Sequence, residues 1–258
     1  EVLRDVRRSS VIMVVLVLCE GLCVIAVKLL DVYLAPVVMA AMLLTTLLSA
    51  RVGISATFTM ALIAAGLSAG SSNAYSAEMV HLILTGVVSG IVAVQYLKDK
   101  PQRVRMVIAG VIVAVVNMVV ILAMSLMTSN NISDMMTNAM WSMAGGILSG
   151  LISVGFQPVF EAAFNLATPA KLLELANPNQ PLLRRLLLEA PGTYHHAIVV
   201  ANLAEAAAEK IGANPLLART GAYFHDIGKL KRPLYFKENQ MGDNPHDRTD
   251  PYVSAAIV

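Results

Sequence analysis

The chain has 258 residues, of which 57% are hydrophobic and only 14% are charged, and its formal net charge is +2. With a mean hydropathy of +0.67, this composition excludes an ordinary soluble globular domain and indicates a membrane protein. The small positive charge, without a cluster of Lys and Arg interleaved with aromatic residues, argues against polymeric DNA or RNA as a partner.

Six apolar runs are long enough to cross the hydrocarbon core of a bilayer, which takes about 20 helical residues. The predicted spans are approximately 10–30, 32–50, 52–70, 79–97, 104–127 and 139–160. The first three abut one another, which leaves open that one of them is a re-entrant or tilted segment. Residues 1–165 are therefore predicted to form a transmembrane bundle of about six helices, with the lipid bilayer as its partner.

The distribution of Lys and Arg predicts the orientation of the bundle, because cationic loops stay in the cytosol. If residue 1 is cytosolic, the outside connections hold only Lys28. The inside connections then hold Arg4, Arg7, Arg8, Arg51, Lys98, Lys100, Arg103 and Arg105. Everything after the sixth span is thus predicted to be cytosolic.

One acidic residue and three pairs of glycines inside the predicted spans suggest further roles. Glu20 is a carboxylate deep in the first span, either a functional group or a hydrogen-bonded group at a helix contact. Pairs of glycines four residues apart let membrane helices approach closely, within one chain or in a homodimer. These pairs are Gly66/Gly70, Gly86/Gly90 and Gly146/Gly150.

Residues 166–190 are predicted to be a coupling linker made of two short helices. Thr168 and Pro169 are typical of a helix start. Residues 177–181 contain two prolines and break the helix. Leucines then recur at helical spacing opposite Arg184 and Arg185, which predicts a second, amphipathic helix.

The candidate metal ligands lie on two predicted helices that follow the linker. His196 opens the buried face of the first, and the second ends at His225 and Asp226. Imidazole and carboxylate groups are the donors expected for a hydrolytic metal such as Fe, Mn or Zn. A His-Asp pair alone also fits a helix cap beside a surface carboxylate. Lys229, three residues later, adds a point charge suited to a phosphate and favours a metal-assisted phosphohydrolase site.

Several segments resemble the HD domain of the seven-transmembrane HD family, which includes the PgpH-type cyclic-di-AMP phosphodiesterases. They are GTYHH at 192–196, VANLAEA at 200–206, LAR at 217–219, HDIGK at 225–229 and ENQ at 238–240. Residues 177–183 and the bundle resemble the same family, so the resemblance covers essentially the whole chain.

The resemblance implies an all-α protein in which residues 191–258 form the N-terminal part of an all-helical HD phosphohydrolase domain. It implies a binuclear divalent metal centre, with Mn or Fe as the expected metal. His196, His225 and Asp226 match metal ligands of the motif, with Asp226 as the bridge. Asp226 and Lys229 are the expected catalytic residues, and His195 is expected to support the site or to pack beside it.

The implied function is hydrolysis of cyclic di-AMP to linear pApA by a phosphodiesterase of the bacterial cell membrane, regulated through its transmembrane region, with a cytoplasmic HD domain. The family's sensor domain would precede residue 1 and further metal ligands would follow residue 258, so this piece alone is expected to be inactive. Two alternatives are a membrane receptor that binds a nucleotide without hydrolysis and an HD phosphohydrolase for another nucleotide.

Overall fold

A computed structural model describes residues 6–69, 77–98, 103–128 and 131–257 of the chain. Within these residues every regular element is a helix, which confirms the all-α prediction. The chain divides into two compact units, which we call unit 1 (Glu1–Thr168) and unit 2 (Pro169–Val258).

Unit 1 contains the apolar helices. They are α1 (Val6–Leu29), α2 (Met39–Leu47), α3 (Ala50–Ala69), α4 (Ala77–Leu97), α5 (Arg103–Thr128) and α6 (Ile132–Ala163). In the described part of the chain, all of these except α2 are long and apolar enough to cross a membrane. The predicted spans other than the second therefore correspond to single helices.

The predicted span 32–50, one of the abutting segments for which a re-entrant or tilted course was left open, is not one continuous helix. A 3₁₀ turn occupies Val32–Leu34, and α2 begins only at Met39 and is nine residues long. Pro36 lies between them, and it lacks an N–H group and disfavours helical geometry at the preceding residue, Ala35, whose ψ is 125°. Every residue of α2 is buried, so its apolar run reflects packing on all sides by other helices.

Helices α5 and α6 pack at a distance that glycine alone permits. A Cβ atom added at Gly146 would lie 2.6 Å from the Cα of Ala114, and one at Gly150 would lie 2.7 Å from the Cα of Gly110. The second predicted pair also lies at contacts, since a Cβ at Gly90 would lie 2.4 Å from Cγ2 of Thr57. These two pairs therefore serve helix packing within the chain.

In the first predicted glycine pair, Gly66 does not show this packing. A Cβ atom at Gly66 would meet nothing within 4 Å of the described residues. Its partner in the pair, Gly70, lies outside the described residues. Glu20 lies on the exposed side of α1, next to the buried Cys19, so in unit 1 it is not a buried helix-contact group.

A buried carboxylate stands at the C-terminal end of α6. Oε1 of Glu161 accepts hydrogen bonds from Nε2 of Gln157 at 2.7 Å and from Oγ1 of Thr168 at 2.6 Å. Oε2 of Glu161 is 3.2 Å from a guanidinium nitrogen of Arg103 at the start of α5. The Glu161 side chain is only 3% exposed. These contacts tie the last residues of unit 1 to α6 and α5.

The α-helices described in unit 2 all begin at proline. They are α7 (Pro169–Leu175), α8 (Pro181–Glu189), α9 (Pro191–Lys210), α10 (Pro215–Phe224) and α11 (Pro251–Ile257), with 3₁₀ turns at Ile227–Lys231, Pro233–Tyr235, Lys237–Asn239 and Pro245–Arg248. In α8 the Gln180 side chain accepts hydrogen bonds from the first two backbone amides, and Leu183 and Leu186 are buried. This helix has the amphipathic pattern expected from the sequence.

Candidate metal centre

Helices α9 and α10 pack against each other and carry the predicted metal ligands. Ala197 and Ala201 turn the apolar side of α9 inward, and His196, which the sequence predicted to open this buried face, is instead half-exposed beside them. Helix α10 ends at Phe224, and His225 and Asp226 follow where the chain passes into the next 3₁₀ turn. The site therefore lies on one helix and at the end of another.

His196, His225 and Asp226 form a compact group, which we call the His-Asp cluster. One ligand atom from each residue lies within 4.8 Å of the other two. Nε2 of His225 is 3.4 Å and Nε2 of His196 is 3.9 Å from Oδ2 of Asp226. Two donors that are each about 2.1 Å from one ion lie roughly 3.0–3.4 Å apart. The His225–Asp226 distance lies in this range, and all three donors are close enough to converge on one divalent metal if His196 moves inward.

The hydrogen bond of His225 prepares its ring for such an ion. Nδ1 of His225 is 2.7 Å from the carbonyl oxygen of Ala222, and since a carbonyl can only accept, Nδ1 carries the proton. In the neutral ring Nε2 then presents a lone pair towards Asp226, which is the tautomer that a metal ligand needs. The side chain of His225 is 38% exposed, so the cluster is open to a substrate.

Lys229 contacts the same carboxylate. Its Nζ is 2.8 Å from Oδ2 of Asp226 and 2.7 Å from Oε1 of Glu238. Although burial alone would lower it, the pKa of Lys229 is raised above its ordinary value by the hydrogen bonds to these two carboxylates. Lys229 is therefore held in its charged form beside the cluster, where it adds positive charge for an anionic ligand.

A buried hydrogen-bond network that the sequence did not predict joins α9 to residues 238 and 239. The backbone amide of Thr193 donates to Oδ1 of Asn239 at 3.1 Å, and Nδ2 of Asn239 donates to Oγ1 of Thr193 at 2.8 Å. Oγ1 of Thr193 in turn donates to Oε1 of Glu238 at 3.1 Å. We call Thr193, Glu238 and Asn239 the anchoring network.

The sequence offers only a weak signal for this network. Thr193 is one helical turn before His196 and so lies on the same side of α9, which could have marked it as a neighbour of the site. Glu238 and Asn239 belong to the ENQ segment that carries part of the family resemblance, but they lie in a 3₁₀ turn without apolar periodicity. Nothing in their spacing indicates which residues they contact.

The remaining histidines lie outside the His-Asp cluster. His195 is exposed on α9 and does not belong to the group of three. His246 has structural partners, since its Nε2 donates to the carbonyl oxygen of Tyr235 at 2.9 Å and its Nδ1 faces Oγ of Ser254. His81, in α4, is buried with Nδ1 3.0 Å from the hydroxyl of Tyr33.

Unit 2 has a pocket of about 520 Å³, and Gly228 is one of its lining residues. Its lining combines two cations, Lys231 and Arg232, with two aromatic rings, Phe236 and Tyr252. Guanidinium and ammonium groups suit phosphate oxygens, and aromatic faces suit the stacking of a nucleobase. The lining of this pocket therefore includes groups that suit the phosphate and the base of a nucleotide, although no residue of the His-Asp cluster lines it.

Membrane-length helices in one unit and a candidate metal-binding cluster of two histidines and an aspartate in a second, helical unit define a membrane protein with an attached helical domain of the HD type. Comparison with sequence families identifies both parts. Residues 2–168 match the family described as a 7TM receptor with intracellular HD hydrolase, and residues 193–258 match the HD domain. The chain belongs to this family of 7TM receptors with an HD hydrolase.

Two curated relatives share the name cyclic-di-AMP phosphodiesterase PgpH. The protein of Bacillus subtilis (strain 168) is 41% identical over 233 residues, which are 88% of this chain and 32% of the relative. The protein of Listeria monocytogenes serotype 1/2a (strain 10403S) is 40% identical over 229 residues, which are 88% of this chain and 31% of the relative. The chain thus spans about a third of the length of these relatives.

Solved structures of the L. monocytogenes PgpH HD domain, one of them in complex with cyclic di-AMP, also resemble part of the chain. Both have a TM-score of 0.30 and cover 31% of this chain and 38% of the solved one, with sequence identities of 62% and 63%.

Proposed function

We propose that this chain is the membrane region and the first part of the HD domain of a phosphodiesterase that hydrolyses cyclic di-AMP to linear pApA. One observation carries the proposal: the His-Asp cluster and Lys229 come together in a segment that matches the HD domain. The names of two relatives, each about 40% identical over 88% of the chain, supply the substrate.

Each residue of the site has a role in this proposal. His196, His225 and Asp226 would hold a divalent metal, Mn or Fe, with Asp226 as the bridging ligand of a pair. When bound, such ions activate water and neutralise charge on the phosphodiester. Lys229 donates to a phosphate oxygen and stabilises the charge that develops there. The half-exposed positions of His196 and His225 leave room for the substrate.

The distribution of charge supports a cytoplasmic HD domain in a bacterial cell membrane. Arg7 and Arg8 stand at the start of α1, Arg51 at the start of α3 and Arg103 at the start of α5, whereas Lys28 is in the last turn of α1. If residues 30–49, with the interrupted α2, also cross the membrane, all of these arginines lie on one side. The positive-inside rule makes that side the cytosol, where α6 would also end.

Turnover by the full-length protein that contains this chain tests the proposal. We expect release of linear pApA from cyclic di-AMP in the presence of Mn or Fe, and loss of this product in His225→Ala and Asp226→Ala. Asp243→Asn is a matched control, because Asp243 is exposed and pairs only with the exposed Arg248 in the described part of unit 2. It should leave the rate unchanged.

Two results would contradict the proposal and point to its alternatives. If the protein binds cyclic di-AMP equally well after chelation of metal and releases no product, it is a nucleotide receptor. If it hydrolyses another nucleotide and leaves cyclic di-AMP intact, it is an HD phosphohydrolase of different specificity.

A further inference from the structure

We propose that Glu238 is a positioning residue that acts through Lys229. It holds the Lys229 ammonium group at the edge of the His-Asp cluster so that the group meets a phosphate of the substrate. This inference rests on the proposed function and assigns a role to the ENQ segment, to which the sequence alone gives none.

The first argument is the position of the ammonium group. Nζ of Lys229 lies between two carboxylates, 2.8 Å from Oδ2 of Asp226 and 2.7 Å from Oε1 of Glu238. An ammonium group has three N–H donors. Two of them are directed at these carboxylates, and the third remains for a phosphate oxygen.

The second argument is the freedom of a lysine side chain. A lysine is a flexible chain that carries a point charge, and it has no preferred direction of its own. A single carboxylate partner would leave the ammonium group free to swing about it. Two partners on different segments define its position, and the ring of Phe236, with its centroid 5.0 Å from Nζ, bounds it further.

The third argument is that Glu238 is itself held in place. Oγ1 of Thr193 donates to its Oε1 at 3.1 Å, and Thr193 is fully buried. Asn239, the next residue, is 7% exposed and bonds both the amide and the hydroxyl of Thr193. The anchoring network therefore ties Glu238 to the helix that carries His196, one turn before that ligand.

The fourth argument is that Asp226 and Glu238 differ in how much negative charge each can offer to Lys229. Asp226 is expected to share its negative charge with a metal, so it is a weaker partner for Lys229 in the working enzyme. Glu238 is outside the His-Asp cluster and its carboxylate remains available to Lys229. Burial acts to raise the pKa of Glu238, but the hydrogen bonds from Lys229, its own backbone and Thr193 lower it, so it stays ionised.

A double-mutant cycle in the full-length protein tests the inference. The variants are Glu238→Gln, Lys229→Met and the pair together, assayed for cyclic di-AMP hydrolysis with Mn. Each single change should lower kcat/KM by about 10- to 100-fold, the range expected when a catalytic group is misplaced. The double variant should be no worse than Lys229→Met alone, because Glu238 acts only through Lys229.

Two controls separate positioning from folding. Glutamine has the shape of glutamate and keeps an oxygen for Thr193, but it lacks the negative charge that attracts Lys229. The metal content and melting temperature of Glu238→Gln should therefore match the wild type while its rate falls. Glu238→Asp keeps the charge but withdraws it by one methylene group, and should give an intermediate rate. Asp243→Asn again serves as the exposed carboxylate control.

The outcomes are distinct. A wild-type protein without turnover overturns the proposed function and this inference with it. If the wild type is active, an unchanged rate in Glu238→Gln overturns the inference alone. So does a double variant whose loss is the product of the two single losses, since the two residues would then act independently.

Discussion

Gly192 lies directly against the backbone carbonyl of Glu238. A Cβ atom at Gly192 would be 1.9 Å from that oxygen, closer than any real side chain can approach. This contact places the first turn of α9 against the 3₁₀ turn that contains Glu238, the partner of Lys229. The hydrogen bonds between Thr193 and Asn239 lie next to it. A glycine at this position is therefore a requirement of the site.

Replacing Gly192 by alanine should separate the two segments. We expect Gly192→Ala to destabilise unit 2 by about 1–3 kcal/mol, as overpacking of a close contact does, and to reduce hydrolysis. The matched control is Gly221→Ala in α10, where an added Cβ would meet nothing within 4 Å. Thermal melting of both variants gives the comparison, and equal melting temperatures would show that the contact is not needed.

The close approach of α5 and α6 leads to a similar prediction for unit 1. Gly150→Ala places a Cβ 2.7 Å from the Cα of Gly110, a backbone atom that cannot give way alone. Loss of about 1–3 kcal/mol is expected from the forced separation of the helices. Gly155→Ala on the same helix meets nothing within 4 Å and is the control. Thermal unfolding in detergent should show a lower melting temperature for Gly150→Ala only.

The buried carboxylate of Glu161 gives a third prediction. Glu161→Ala leaves the Gln157 amide, the Thr168 hydroxyl and the Arg103 guanidinium without this acceptor. We expect a cost of about 1–3 kcal/mol from the loss of these buried hydrogen bonds to a charged group.

The control for Glu161 is Glu189→Ala, which removes the carboxylate of an exposed ion pair with Arg185. Exposed pairs are screened by water, so the melting temperature should hardly change. Melting curves of both variants decide the matter, and an equal shift in the two would mean that burial of Glu161 adds nothing.

We expect metal binding to require His196 but not its neighbour His195. His196→Ala, His225→Ala and Asp226→Ala each remove a donor of the His-Asp cluster and should lower the metal content of the purified protein. His195→Ala should retain the wild-type content, because His195 is exposed and outside the cluster. Elemental analysis after dialysis measures this. Loss of metal from His195→Ala with retention in His196→Ala would reverse the assignment.

Most of the fold could be predicted because its causes are local. A run of about 20 apolar residues has only one way to satisfy its backbone in a bilayer, so α1, α3, α4, α5 and α6 follow from length and hydropathy. The second predicted span is not one continuous helix, because hydropathy does not register the break at Pro36. Hydropathy also does not distinguish a helix that faces lipid from one that is surrounded by protein, as α2 is.

The amino-acid sequence by itself determined the division between the membrane region and the HD region. It also determined that His225 and Asp226 are adjacent and that Lys229 follows them by three residues. Only the tertiary structure decided that His196, 30 positions before Asp226, comes within 3.9 Å of it, because that distance depends on how α9 packs on α10. The ion pair between Lys229 and Glu238 also depends on the tertiary structure alone. Residues in a 3₁₀ turn carry no periodicity, and their contacts arise only when distant segments of the chain pack together.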